Sequence, residues 1–97
     1  MESKKITIKS FNIKDNYFII TDKYNNEYYL KIIDGTIETE IMNTDNENVG
    51  IKYLEENDII KIYGSNLKSN KFIIKKINIK TKYQFNSESS DDFDIYN

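Results

Sequence analysis

The sequence predicts an all-β domain, and three observations carry that reading. β-Branched and aromatic residues dominate the apolar set, with 18 Ile, 8 Tyr and 5 Phe among 97 residues. Ala, the best helix former, is absent. Apolar and polar residues alternate with period two in at least four segments, the signature of a half-buried pleated surface. The length suits one domain with one modest core.

The elements follow in order. In Lys5-Ile6-Thr7-Ile8-Lys9 the isoleucines share one face of a first strand. Asn16 to Asp22 reads as a second strand and Tyr28 to Ile33 as a third. Lys23 to Glu27 lies between them as a turn, because Asn tolerates positive φ and bonds its own backbone. Asp34-Gly35 marks another turn, and Thr36 to Met42 either extends the third strand or adds one. Asn43 to Asn48 is polar and aperiodic, a loop. Gly50 to Glu56 fits a short helix or an irregular turn. Asp58 to Tyr63 is a strand ending at Gly64, and Ser65 to Asn70 is a hairpin loop.

Lys71 to Tyr83 is the longest strand, and its parity breaks: Phe72 and Ile74 share one face, Ile77 and Ile79 the other. One inserted residue near Lys75-Lys76 restores a continuous apolar face; the alternative is a bent strand whose halves pack on different sides. The domain spans residues 1–86. Residues 87–97 hold Glu88, Asp91, Asp92 and Asp94 and no lysine, which leaves residues 1–86 with 14 lysines against 12 acids, a net +2. This acidic, Ser-rich tail is expected to be disordered when free.

Composition excludes several functions. There is no Cys and no His, hence no disulfide, no ordinary zinc site and no Ser-His or Cys-His pair. Three glycines and no defined carboxylate pair leave no phosphate-cradling loop and no acid–base motif. The expectation is a non-enzyme without cofactor or metal. No apolar run approaches the roughly 18–20 residues of a membrane span. Met1 to Lys5 leads into an alternating segment rather than an apolar signal region, so an intracellular, non-secreted protein is expected, cytoplasmic or nuclear, with a viral factory or virion included. Ile, Asn and Lys supply 45 residues, while Ala, Pro and Arg are missing. That pattern points to a very A/T-rich genome, such as that of a large DNA virus, a phage, a low-GC bacterium or a protist.

Three strands, a longer connection and a hairpin resemble the five-stranded Greek-key barrel of the OB-fold. Tyr17-Phe18-Ile19-Ile20-Thr21-Asp22, a short turn and Tyr28-Tyr29-Leu30-Lys31-Ile32 are similar to the second and third strands of anticodon-binding-type OB domains. Leu54 to Gly64 resembles the stretch entering their fourth strand, with Asn57 where that family carries Gly; Asn also visits the left-handed region. Phe72 to Ile79 matches the closing strand. The resemblance covers about Lys5 to Tyr83 and implies binding of oligonucleotides, oligosaccharides or proteins. Residues 87–97 resemble the acidic, aromatic-containing ends of single-stranded DNA-binding proteins. There the tail docks replication partners and competes with nucleic acid, which implies a partner-binding role for Asp91, Asp92, Phe93, Asp94 and Tyr96.

Strand parity gives the outward set. With Ile6, Ile8, Phe18, Ile20, Tyr28, Leu30, Ile32, Ile60 and Ile62 inward, the opposite face carries Lys9, Phe11, Tyr17, Tyr29, Lys31, Lys61 and Tyr63. Rings interleaved with cations are how single-strand binders stack bases and track phosphates; Tyr and Lys are also ordinary on a solvated strand face. Lys68 and Lys71 lie in the loop where OB-folds place a binding rim, with Lys76 beyond. The expectation is single-stranded nucleic-acid binding, DNA first and RNA second, with little sequence preference, since Arg is absent. The alternative is a non-catalytic interaction barrel, an accessory subunit of a replication, transcription or virion complex.

Overall fold

The computed structural model describes residues 1–67 and 70–83. Seven strands form one sheet: β1 (Glu2–Lys14), β2 (Tyr17–Asp22), β3 (Glu27–Ile33), β4 (Thr36–Ile37), β5 (Glu40–Met42), β6 (Ile59–Asn66) and β7 (Phe72–Thr81). A 3₁₀ turn, Ile51–Tyr53, lies between β5 and β6. Five strands close a ring in the order β1–β2–β3–β7–β6 and back to β1. Only the β3–β7 contact within the ring is parallel. This is an OB-like Greek-key barrel. The expected Thr36–Met42 extension is two short strands, β4 on the edge of β3 and β5 parallel to β7. No helix among the described residues is long and apolar enough to cross a membrane. Lys68 and residues 87–97 lie outside the described residues.

Asn and Asp make the turns. Asp15 (φ 57°) opens the two-residue link from β1 to β2, and Asp34 (φ 52°) with Gly35 (φ 76°) forms the tight link from β3 to β4. In the Asp34-Gly35 link, positive φ at both central residues gives the turn whose twist matches that of its strands. Asn57, expected to stand in for Gly, has φ 75°.

Of the three register shifts in the barrel, two exchange the inward parity within the core strands. In β7, Tyr63 pairs Lys76 and Gly64 pairs Ile74, so Lys75 is the inserted residue. Phe72, Ile74, Ile77 and Ile79 are consequently all buried, as the broken parity required. In β1, the register with β2 shifts between Ile8 and Ser10. Ile6 and Ile8 point inward, and beyond Lys9 the inward parity passes to Phe11. Phe11 therefore packs on the core, stacked on Phe18 with centroids 5.4 Å apart. The outward position expected for Phe11 is corrected by this shift, which simple alternation across residues 5–11 does not include.

Asp58 closes the ring at one end. It is fully buried, and its Oδ2 accepts Glu55 N–H (2.9 Å) and the Lys82 ammonium (2.6 Å). Its Oδ1 accepts Tyr83 N–H (2.8 Å), and its carbonyl accepts Ile8 N–H (2.9 Å). Burial pushes the Lys82 pKa down, but hydrogen bonds and attraction to Asp58 and Glu55 outweigh it and hold the ammonium above its usual 10.5. One residue thus ties β1 through its carbonyl, and the approach to β6 and the end of β7 through its carboxylate.

Gly64 sits where β6 meets the β7 bulge. A Cβ there would lie 1.9 Å from the Ile73 carbonyl oxygen, a backbone atom that cannot move aside. Gly64→Ala is expected to destabilise the barrel by about 1–3 kcal/mol or more, the range of an overpacked core. Urea unfolding followed by tyrosine fluorescence measures it; a midpoint equal to that of the parent would show that β6 and β7 separate freely.

Candidate nucleic-acid interface

The β2–β3 hairpin carries the first pair of candidate rings, and Asp22 builds the hairpin. This buried carboxylate accepts Tyr24 N–H and Asn26 N–H on Oδ1, both at 2.9 Å. On Oδ2 it accepts the Tyr28 hydroxyl (2.9 Å) and the Asn26 amide (3.3 Å). Asn25 takes positive φ at the tip. Burial raises the Asp22 pKa, but the hydrogen bonds from Asn26, Tyr28 and Tyr24 together win and hold it below 3.8. The Tyr28 hydroxyl is pushed up to about 12, by burial first and then by its bond to Asp22. Tyr28 thus fixes the hairpin from inside, and the next residue, Tyr29, points out.

On the outer face, the registers set Ile19, Tyr29, Ile73 and Ser65 side by side across four strands. Ile19 and Ile73 are nearly inaccessible yet lie outside the core cluster, so they form an apolar floor beneath the surface. Tyr17 meets Tyr29 edge to face, with centroids 5.4 Å apart. Lys31 is the cross-strand partner of Tyr17. The Lys71 ammonium lies 5.6 Å from the Tyr29 ring centre, within cation–π range. Tyr17, Ile19, Tyr29 and Lys71 line a cleft of about 240 Å³ together with Asn12 and Lys14. Glu27 also lines it and accepts the Tyr29 hydroxyl at 2.8 Å. That bond, then burial and the nearby Glu27 charge, raise the Tyr29 pKa.

A second ring lies on the β6–β7 side. Tyr63 pairs Lys76 across the strands, and the ammonium groups of Lys61 and Lys76 sit 5.4 and 5.8 Å from its centre. Asn78, partner of Lys61, has a buried Oδ1 with no hydrogen-bond partner among the described residues. A buried acceptor left open is uncommon. Glu40 is the β5 neighbour of Lys76.

The structure brings Tyr17, Tyr29, Lys31 and Lys71 into one cluster and Lys61, Tyr63 and Lys76 into another. It does not bring in Lys9, whose ammonium bonds the Asn25 side chain at 2.7 Å beside the hairpin tip. Phe11 belongs to the core, and Lys68 lies outside the described residues. Sequence reasoning passed over Lys14 and Asn12, which flank the cleft from β1 as the cross-strand partners of Tyr17 and Ile19. The turn signal Asp15-Asn16 was the pointer to them. It also passed over Tyr24, exposed at 73% on the hairpin tip with the Lys23 ammonium 5.2 Å from its ring. No known protein family, no curated protein and no solved structure matches the chain.

The Asp22–Tyr28 bond implies stability limits on both sides of neutrality. The Asp22 pKa is depressed, so its contribution is present above about pH 4 and is lost as pH falls through the folded value. The Tyr28 pKa is raised, so its contribution is present below pH 10 and is lost as pH rises through about 12. Absorbance titration at alkaline pH is expected to show one tyrosine ionising only near pH 12 or with unfolding, and Tyr28→Phe to remove that late step. A late step retained in Tyr28→Phe would assign it to another ring.

Proposed function

We propose that this OB-like barrel is a non-catalytic binder of single-stranded nucleic acid, DNA in the first instance, with little sequence preference. The observation that carries the reading is the Tyr17–Tyr29 pair on the β2–β3 face, with Lys71 over one ring and Lys31 beside the other. OB-folds bind oligonucleotides on this face and on the loops beside it. Tyrosine rings offer π-faces that accept any base, and lysines follow phosphates without reading sequence. Lys61, Tyr63 and Lys76 repeat the arrangement on the neighbouring strands. The reading fits an intracellular replication or transcription setting, a virus-encoded one included. The acidic end, with Asp91, Asp92, Phe93, Asp94 and Tyr96, serves in this scheme as the contact for a protein partner.

A second reading, an interaction barrel whose outer face meets protein, has its own support. Glu27 and Glu40 stand inside the aromatic band, where they repel phosphate, and Ile33 beside it is exposed. Salt separates the two. Nucleic-acid affinity falls with a log–log slope of about −0.7 per phosphate neutralised on a single strand, whereas an apolar interface responds little.

Replacing Tyr17, Tyr29 and Tyr63 together by Ala is expected to lower oligo-dT affinity more than tenfold, at roughly 1 kcal/mol per stacked base. The rings are half-buried and outside the core, so circular dichroism should stay β-type. Anisotropy titration with labelled oligo-dT, oligo-rU and duplex makes the measurement. Equal affinity in parent and triple variant ends the stacking reading.

Deleting Ser87–Asn97 removes four acids from a chain whose remainder is net positive. A tethered anion has a high effective concentration at a nearby cationic face, so the deletion is expected to raise oligonucleotide affinity, most at low salt. The gain should shrink as the Debye length falls from about 30 Å at 0.01 M to about 10 Å at 0.1 M. A loss of affinity would instead make the tail part of the binding surface.

A further inference from the structure

β1 has an edge that no strand covers among the described residues, with only the Thr7 carbonyl engaged. The Ile8 N–H and C=O point toward the segment before β6, bonding Asp58 and Asn57 at 2.9 and 2.7 Å. The Thr7 carbonyl points the other way and accepts Lys23 N–H at 3.1 Å. Successive strand residues aim their backbone groups to opposite sides. Lys5 and Ser3 therefore present N–H and C=O in the direction of Thr7, away from β6. β2 stops pairing at Ile8, so among the described residues no strand covers this stretch.

The edge forms one wall of a groove of about 460 Å³, faced by Lys4, Lys5, Lys23, Tyr24, Asn26 and Tyr28. Its lining holds one carboxylate, Asp22, and both of that group's oxygens already accept hydrogen bonds within the hairpin. Glu2 approaches Lys4 no closer than 3.9 Å, at an exposed position. The Lys4 ammonium lies 5.7 Å from the Phe72 ring centre, and Tyr24 stands exposed at the rim. The groove is cationic, ringed by aromatics, and carries the alternating donors and acceptors of an open sheet edge.

We propose that this edge docks an extended acidic peptide, which adds a strand along Ser3–Thr7. Main-chain hydrogen bonds would supply the ladder, and alternate side chains the specificity, as in other strand additions. Carboxylates on one face of the added strand meet Lys5, and an apolar side chain lies against Tyr24. Charge argues against a second copy of this chain, because antiparallel pairing of two such edges sets lysine against lysine. Backbone geometry argues against nucleic acid, because the carbonyls of Ser3 and Lys5 would face phosphate. The site is separate from the Tyr17–Tyr29 face and does not depend on its function.

The test uses the full chain and a labelled eight-residue synthetic peptide in which Asp alternates with Ile and Tyr; a control peptide carries Lys for Asp. Saturable, salt-sensitive anisotropy with the acidic peptide alone is expected. Lys5→Pro removes an N–H that the β6 ladder does not use, a position proline tolerates on an edge. It should weaken binding at least tenfold, while Lys5→Gln, which keeps the N–H, weakens it much less. Amide exchange on the parent chain gives a second readout: the Lys5 amide should gain protection when the peptide binds. Equal losses in the two variants, or no protection at Lys5, would reduce the groove to a charged patch. Loss of oligo-dT binding in Lys5→Pro would assign it to nucleic acid instead. A dimer that Lys5→Pro dissociates would assign it to a second copy.

Discussion

Two strands in this barrel divide their length between partners, and the rest of the structure depends on how they manage it. β1 gives its first half to β6 and its second half to β2; β7 gives its first half to β3 and its later residues to β5. A strand that changes partners must coil, and an extra residue supplies the added twist. Lys9 and Lys75 are those residues. Each shift exchanges the inward parity, which lets Ile6, Ile8 and Phe11 share one core and Ile74 and Ile77 share it too. The shift at Lys75 also places Lys76 beside Tyr63, and the crossing from β6 to β2 leaves the Ser3–Thr7 edge open. Gly64 is the counterpart on β6: without a side chain, it lets the bulged strand come into contact.

Burying the carboxylates of Asp22 and Asp58 serves the same closure. A buried ion costs several kcal/mol in lost hydration unless its lone pairs are filled. Both groups are filled from backbone N–H groups within a few residues, and each adds one longer reach, to the Tyr28 hydroxyl or to Lys82 and Tyr83. A local turn is thereby bonded to a distant strand residue. Asp22 does this for the β2–β3 hairpin, and Asp58 for the seam where β1, β6 and β7 meet. The link from β3 to β6 contains no α-helix, and Ile37, Val49 and Ile51 are the partly buried residues that cover the core from that segment. The seam is consequently fixed by hydrogen bonds and an ion pair rather than by a packed helix.

Period-two alternation made most of the barrel readable. Ile6, Ile8, Ile20, Leu30, Ile60 and Ile62 are inside because each sits in a run whose polar partners are outside. The insertion in β7 was also legible, since Ile77 and Ile79 fall on the opposite parity from Phe72 and Ile74. β1 contains the same signal: Phe11 and Ile13 fall on the opposite parity from Ile6 and Ile8. It was obscured because Phe11 passes equally well for a surface aromatic. Ile13 is in fact exposed, so the exchange of parity buries only one of the two. Tyr28 and Tyr29 show how parity resolves identical neighbours, one bonded to a buried aspartate and the other open. Lys14 ends β1 opposite Tyr17, on the parity that follows the shift at Lys9. Tyr24 is the residue parity could not supply: it sits on the hairpin turn, beside the positive φ of Asn25.

The net charge of −2 does not describe the surface that a ligand meets. Distribution does, because the field in a cleft is set by the charges that line it. Among the described residues, the ion pairs engage only Lys4 and Lys82. Lys61, Lys71 and Lys76 instead lie over tyrosine rings, which orient the ammonium without neutralising it. A cation held this way keeps its charge for an incoming anion, and the ring beneath keeps an edge or face for an apolar or aromatic group. That combination suits a ligand with both features repeated along its length. Lysine has no planar fork of donors with which to read a guanine edge or grip a phosphate in bidentate fashion. On the proposed reading, a face of lysines and tyrosines with Asp15, Glu27 and Glu40 among them would favour flexible, unpaired polyanions over stacked duplex and leave base order unread.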